Sequence, residues 1–577
     1  MRSSALILLL LLALALGLGL RTWLRPPAAV PPLPAQTERA APTAPLVAPT
    51  TPATVPQGHV YTGVSEQPED VNPLTQHSLI ATRLLSYTHD GLLDGDPQTG
   101  ALRGALAEAW SPSADGGSCT FTLRRGVRFA DGSPLTLADV LFAWRLAAGG
   151  SFVFGNAGLA FDRVAAVDEL DEWRFCVHFR DRHYAAVQVV GENWPVVCRR
   201  WWLARVAELA AQSGGDVPAE DSPAFAVLLA QVRDECGPGT GPYELQNRPG
   251  GGNWQRGQEL TLVRNEHCWR REVQPGTWNF AALRFRFLDG AAALNALLRG
   301  ELDWYGSAAI DDLLRSRPEL ATAYRQIEYD YRQLGVYTIV WNCRRPPFDD
   351  ARVRRALARL FDREAILAAF GGHGVPGLAY AKPDGAEYPR DVEPYGFDVG
   401  RARAELREAG FGADLGRPLR LALLAPEGPE AMRRTLDLFA SAARQAGIEL
   451  DLRVREWTTF VAAKKADEWD GMFVLQGFRT SGDPYDFVHS HGPDNHGGWA
   501  SAAADRLATE VRAEFDPERR TGLLRELHAL VHAEQPVAFL LHPRVALLLN
   551  RQVEGAAPGP FGLSIERAFV RAEHQRR

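Results

Sequence analysis

Leu106–Arg145 reads LAEAWSPSADGGSCTFTLRRGVRFADGSPLTLADVLFAWR. Its SCTFTL run has the strict alternation of a half-buried strand, and Asp131-Gly132 supplies a tight turn. Thr136 and Asp139 then form a Thr-x-x-Asp capping box, opening a helix that buries Val140, Leu141 and Trp144. The stretch is a strand–turn–helix corner with no group placed for chemistry. Arg124, Arg125 and Arg128 are expected on a solvated face.

The body continues this alternation from Gly58 onward. HVYTGVS, ELTLVRN and LRFRFLD read as strands, and Ala291–Arg299 as a short helix ended by Gly300. GTGPYEL (Gly239–Leu245) is a glycine-loosened loop rather than a phosphate loop, because no Gly-Lys-Ser/Thr follows it. A second unit begins near Val336. YTIVWN is a strand, and Asp349 or Asp350 caps a helix carrying Val353, Leu357, Leu360 and Phe361 on one face. Strand RLALLAP, a helix through Gly447, strand IELDLRV, helix TTFVAAKKADEW and strand MFVLQGF follow. Successive βα units predict an α/β lobe with a largely parallel sheet. VAFLLHP and RVALLLN add strands near the end.

The 577 residues, 46% hydrophobic, suit two to four domains with sizeable cores. A net charge of -7 without a long Lys/Arg run argues against a nucleic-acid partner. Arg2 followed by the purely apolar Ala5–Leu20 reads as an export signal or an uncleaved membrane anchor over residues 1–25. The first cysteine is Cys119, so no lipid-modified start is expected. Residues 26–57 hold ten prolines and read as an extended, disordered tether. Six cysteines in an exported chain raise the question of pairing. Cys119 and Cys176 lie in strand-like runs and are the candidate cross-strand disulfide, with buried free thiols as the alternative.

Asp90–Arg145, taken with GTGPYELQNR, ALLRGELDW, PPFDDARVRRALARLFDREAIL, YGFDVGRARAELREAGF, GIELDLRVREW and QGFRTSGDPYDF, resembles the family-5 extracellular solute-binding proteins. These are the oligopeptide-, dipeptide- and nickel-type receptors of ABC importers. The likeness implies an α/β, two-lobed periplasmic-binding-protein (Venus-flytrap) fold with an extra subdomain in the first lobe. Residues 58–94, 238–335 and 535–577 would form the first lobe, 95–237 its extra subdomain, and 336–534 the second lobe. It further implies an extracytoplasmic, periplasmic location, ABC permease subunits as partners, and no cofactor. The N-terminal segment would supply any membrane attachment.

The resemblance places Val64, Ser65, Glu66 and Gln67 on one wall of a ligand cleft. Gln476, Phe478, Arg479, Thr480 and Ser481 fall on the other, with Trp499 flanking it. Peptide-binding members carry an Asp after the strand equivalent to MFVLQGF, where it meets the ligand's α-ammonium. Here Thr480 or Ser481 takes that position, and Arg479 brings the opposite charge. Arg479 either attracts an anionic ligand group, or points to solvent or pairs with a local acid such as Asp483.

His489, His491 and His496 raise the alternative of a metal or metal-chelate receptor, although a loop does not fix ligand spacing. A solute sensor of the same fold is another. No Gly-x-Ser-x-Gly or His-Glu-x-x-His motif is present, and Asp311-Asp312 and Asp349-Asp350 have helix-capping explanations. The chain is therefore expected to bind a peptide or similar small solute, not to act as an enzyme; an uncharacterised hydrolase is the more remote alternative.

Overall fold

The computed structural model describes residues 58–576 except 151, 153, 156, 157, 249, 250, 308, 330–334, 478–481, 560 and 561. The apolar run and the proline-rich segment lie outside the described residues. Among those residues, no helix is long and apolar enough to cross a membrane.

Two large sheets organise the chain. The first has eight strands, in the order Trp254–Gln255, Glu259–Arg264, Ala282–Arg286, Val60–Val64, Trp304–Gly306, Val545–Asn550 and Tyr324–Tyr329, with Tyr243–Glu244 also paired to Glu259–Arg264. The second has six, ordered Gly374–Pro376, Val537–Pro543, Val336–Trp341, Gly471–Gln476, Arg420–Pro426 and Glu449–Arg455. The chain passes from the first sheet to the second between Tyr329 and Val336, and returns between Pro543 and Val545. This corrects one boundary of the sequence reading. Val537–Pro543, assigned there to the first lobe, pairs with Val336–Trp341 in the second. It also corrects the largely parallel sheet. Only the Arg420–Pro426 ladders are parallel, because Val336–Trp341 and Val537–Pro543 enter and leave through the same boundary and so run opposite ways.

The opening corner folds as read. Ser118–Leu123 is a strand, Gly132 takes φ +81° in the turn, and the Asp139 carboxylate accepts the Thr136 backbone N–H at 2.9 Å before the helix Leu137–Ala148. Arg124 departs from the expected solvated face: its guanidinium lies over Trp269, 4.5 Å from the ring centroid. The strand belongs to a four-stranded antiparallel sheet, Ala107–Pro112, Ser118–Leu123, Arg174–Phe179 and Val164–Glu169, which carries its own core. Phe121 stacks on Phe175 there, and Trp194 and Trp202 are buried. Each such side chain contributes about 1.5–3 kcal/mol.

The candidate disulfide is overturned by register. Cys119 pairs with Val177 and Cys176 with Thr120, so the two thiols point to opposite faces of the sheet. All six cysteines are free, and burial pushes the Cys119 thiol up to about 12.

A chain of ion pairs joins the parts of the first lobe. Arg270 donates to Asp90 at 2.7 and 2.9 Å and lies 2.9 Å from Asp94. Arg103 pairs with Asp94 at 2.9 Å and with Glu566 at 3.0 Å. Trp269 and Thr240 donate to the remaining Asp90 oxygen. These carboxylates come from the first segment, the edge of the subdomain and the C-terminal hairpin.

Gly335 ends the first crossing at φ +84°, and a Cβ there would lie 1.8 Å from the Gln476 carbonyl oxygen. Gly335→Ala combines left-handed strain with a backbone clash. It is expected to destabilise the protein by about 2 kcal/mol or more, measured by denaturant unfolding.

Candidate functional site

Register fixes where the strand ends point. Val60–Val64 runs parallel to Trp304–Gly306, and the latter is antiparallel to Val545–Asn550, with Gly306 opposite Leu547. The carboxyl end of Val60–Val64 therefore points to the boundary where Val545 enters. In the second lobe Gln476 pairs with Val336, the first strand residue after the other crossing. The carboxyl ends of Gly471–Gln476, Arg420–Pro426 and Glu449–Arg455 thus point to the same boundary. Ligands of α/β sheets sit outside the carboxyl ends of the strands. The interlobe boundary is the candidate site.

Gly471–Gln476 outruns a neighbour there, and Val60–Val64 does not. All of Val60–Val64 pairs with Ala282–Arg286, but on its other side only Gly63 meets Trp304. Gly471–Gln476 pairs along its whole length with Val336–Trp341, whereas only Gly471 and Met472 meet Arg420–Pro426. The second lobe therefore presents an incomplete ladder edge, Phe473–Gln476, whereas in the first lobe Trp304–Gly306 starts opposite Gly63 and runs on beside Val64 toward the boundary. Leu475 is 40% exposed on the second-lobe edge. Trp457, at the start of the helix after Glu449–Arg455, is 64% exposed at the same sheet end.

The loop after Gln476 is tied at both ends. Tyr380, itself buried and stacked on Phe487, donates its hydroxyl to the Gly477 carbonyl at 2.7 Å. Asp483 is 5% exposed and accepts from Arg512 Nε at 2.7 Å and from the Tyr485 N–H at 3.0 Å. The His183 ring nitrogen lies 3.0 Å from the same carboxylate. Burial works to raise the Asp483 carboxyl, but the His183 hydrogen bond and the Arg512 charge outweigh it and hold it below the usual carboxylate range. Phe478, Arg479, Thr480 and Ser481 lie outside the described residues.

His183 belongs to the extra subdomain, so Asp483 sits on a seam between the lobes. Beside it the Tyr184 N–H donates to the Arg512 carbonyl at 2.9 Å, and Arg520 lies over the Tyr184 ring. A second seam lies by the crossings, where His373 approaches Asp311 at 3.0 Å and Glu328 at 3.3 Å. Arg544 approaches Glu328 at 3.6 Å.

The sequence-selected residues divide between these surroundings. Val64 ends the strand Val60–Val64, and Gln476 ends the incomplete edge of the second lobe. Ser65 donates its N–H to the Arg286 carbonyl at 3.0 Å, Glu66 is exposed, and Gln67 accepts the Gly257 N–H. Trp499 is 6% exposed and packs in the second-lobe core with Phe487 and Leu507, its backbone held by Asn495. It does not stand on an open cleft face. His489 stacks on Tyr485 at 4.1 Å, while His496 sits 2.8 Å from Lys464 Nζ. Among the described residues no three His, Cys, Asp or Glu side chains are placed to hold a metal. Asp350 caps a helix, and Asp311 and Asp312 lie in a helix first turn. Tyr380 and His183 escaped sequence reading because neither stands in a motif; their roles arise from partners distant in the chain.

Residues 101–499 match the family model described as bacterial extracellular solute-binding proteins, family 5 Middle. Di/tripeptide-binding protein 2 of Pseudomonas aeruginosa (strain UCBPP-PA14) is 26% identical over 497 residues, covering 81% of this chain and 86% of that protein. The probable deoxycholate-binding periplasmic protein of Escherichia coli (strain K12) is 24% identical over 549 residues, covering 89% of this chain and 94% of that one. Among solved structures, the oligopeptide-binding protein AppA from Bacillus subtilis, in complex with a nonapeptide, superposes with a TM-score of 0.72 at 19% identity, covering 89% of this chain and 98% of that one.

Removing the charge of Asp483 leaves Arg512 with a weakened partner in a buried place. Asp483→Asn is expected to cost about 3 kcal/mol near neutral pH. The folded-state pKa is depressed, so the stabilisation is present above the ordinary carboxylate value and lost as pH falls through the lower folded one. Denaturant unfolding at pH 7 and at pH 3 should show the gap between wild type and variant narrowing in acid.

Proposed function

Because the chain belongs to the bacterial extracellular solute-binding proteins of family 5, a family of binding proteins rather than enzymes, we propose that it captures short peptides between its two lobes. The observation that carries this reading is the incomplete strand edge Phe473–Gln476 at the interlobe boundary to which the carboxyl end of Val60–Val64 also points. An extended peptide adds to such an edge through backbone hydrogen bonds, leaving its side chains to permissive surroundings. The edge supplies the peptide's amide partners, and lobe closure excludes competing water. Two of the three relatives are named as peptide-binding proteins, which supports the same class.

The loop between Gly477 and Asp483 sets the polarity of recognition. Asp483 is committed to Arg512 and His183, so it does not stand in for the acid that the family places nearer the strand. Arg479 gives this loop a cation instead. The loop accordingly favours a peptide's carboxylate end or an acidic side chain over its α-ammonium. Delivery to the permease of an ABC importer is the corresponding role. The apolar N-terminal run and the tether would hold the receptor at the outer face of the membrane.

Native mass spectrometry of the purified protein, followed by gentle unfolding, tests the ligand class. A ladder of mixed short peptides is expected, and a single non-peptide passenger would overturn the reading. A bound peptide resynthesised with one central N-methyl amide should bind at least tenfold more weakly by calorimetry, about the worth of one lost hydrogen bond.

A further inference from the structure

A cavity of about 430 Å³ lies within the first lobe, between the helix Leu79–Leu85, the end of the helix Ala186–Asn193 and the hairpin strand Gly562–Ser564. None of its lining residues comes from the second lobe. Its size is that of a small-molecule site.

The walls carry four carboxylates, Asp90, Asp94, Glu192 and Glu566, against three guanidinium groups, Arg83, Arg103 and Arg270. His89 adds no charge, since burial pushes its imidazole down to about 4. Arg103 and Arg270 are consumed by Asp90, Asp94 and Glu566 in the ion-pair chain described above. Arg83 lies over Trp304 at 5.3 Å from the ring centroid. Glu192 is left over: the Gln188 amide donates to it at 3.2 Å, and no cationic side chain forms an ion pair with it among the described residues. It also occupies the last turn of its helix, where the unpaired carbonyls already concentrate negative charge. A carboxylate so placed lacks its counterion.

We propose that this cavity binds a small organic monocation, with an ammonium or guanidinium group seated between Glu192 and the helix end. Its alkyl part would lie along the apolar walls formed by Leu93, Trp194 and Leu563. Burial first, and then the neighbouring Asp94, push the Glu192 carboxyl up to about 7, as expected for a desolvated acid without a cation. The empty state therefore loses stability as pH rises from the ordinary carboxylate value through 7, and a bound cation restores it.

The test uses the full-length protein with n-butylammonium as probe and n-butanol as the uncharged control, read by calorimetry and thermal unfolding at pH 8. Saturable binding by the amine alone, with a raised Tm, is expected. Glu192→Gln should weaken it at least tenfold while leaving any passenger of the interlobe cleft in place, which separates this site from the peptide reading. In the wild type alone, binding should weaken roughly thirtyfold between pH 8 and pH 5.5 as the carboxyl protonates. The other facing carboxylates are held in ion pairs, and the probe stays charged throughout. Absence of saturable binding, equal binding by Glu192→Gln, or a flat pH profile would each overturn the proposal.

Discussion

Everything in this molecule that bears on recognition depends on the chain passing between its two sheets by way of short connections, Tyr329 to Val336 and Pro543 to Val545. Strands leaving one sheet at a boundary must enter the other at the same boundary. That requirement fixes their direction, and pairing transmits it outward to strands that never cross. The carboxyl ends of Val60–Val64 and Gly471–Gln476 are brought to one boundary by this chain of registers. Gly335 has no room for a Cβ beside Gln476, so one crossing is packed directly against the strand that ends at the candidate site.

Charged groups of the two lobes meet at two seams. His183 with Asp483 and Arg512, and His373 with Asp311 and Glu328, join groups that each lobe could solvate separately on opening. Such contacts give register to the closed arrangement. Hinge closure around a ligand is the motion this division suits. The contrast with the first lobe is instructive. There Asp90, Arg270, Asp94, Arg103 and Glu566 are held in a continuous network, most of it buried, that makes the lobe and its subdomain one body. Breaking that network would strand charges inside the protein, so it stays intact while the seams part.

Much of the fold was legible because its signals are local. The Asp131-Gly132 turn, the Asp139 cap and the alternation of SCTFTL are each set by neighbours within a few residues, and all recur in the structure. The strand Val537–Pro543 was misplaced for the converse reason. Its sequence shows a buried strand, but the sheet it joins is decided by Val336–Trp341, some two hundred positions earlier. Cys119 and Cys176 failed as a pair through a one-residue register offset, which no spacing in sequence reveals. Trp499 was expected beside the cleft from the resemblance alone; the Asn495 side chain holds its loop over the core.

The sequence by itself determined the element types, the caps and turns, the α/β class and, through its motifs, the family, because these follow from side-chain periodicity and short-range hydrogen bonding. Tertiary structure alone decided which strand edges stay open, which acids already have partners and which do not. Asp483 and Glu192 are both carboxylates in ordinary sequence surroundings. One is neutralised by Arg512 and His183 from other elements, and the other faces a cavity whose cationic side chains form no ion pair with it among the described residues. Pairing in space, over distances that sequence does not encode locally, is what separates a structural acid from one free to meet a ligand.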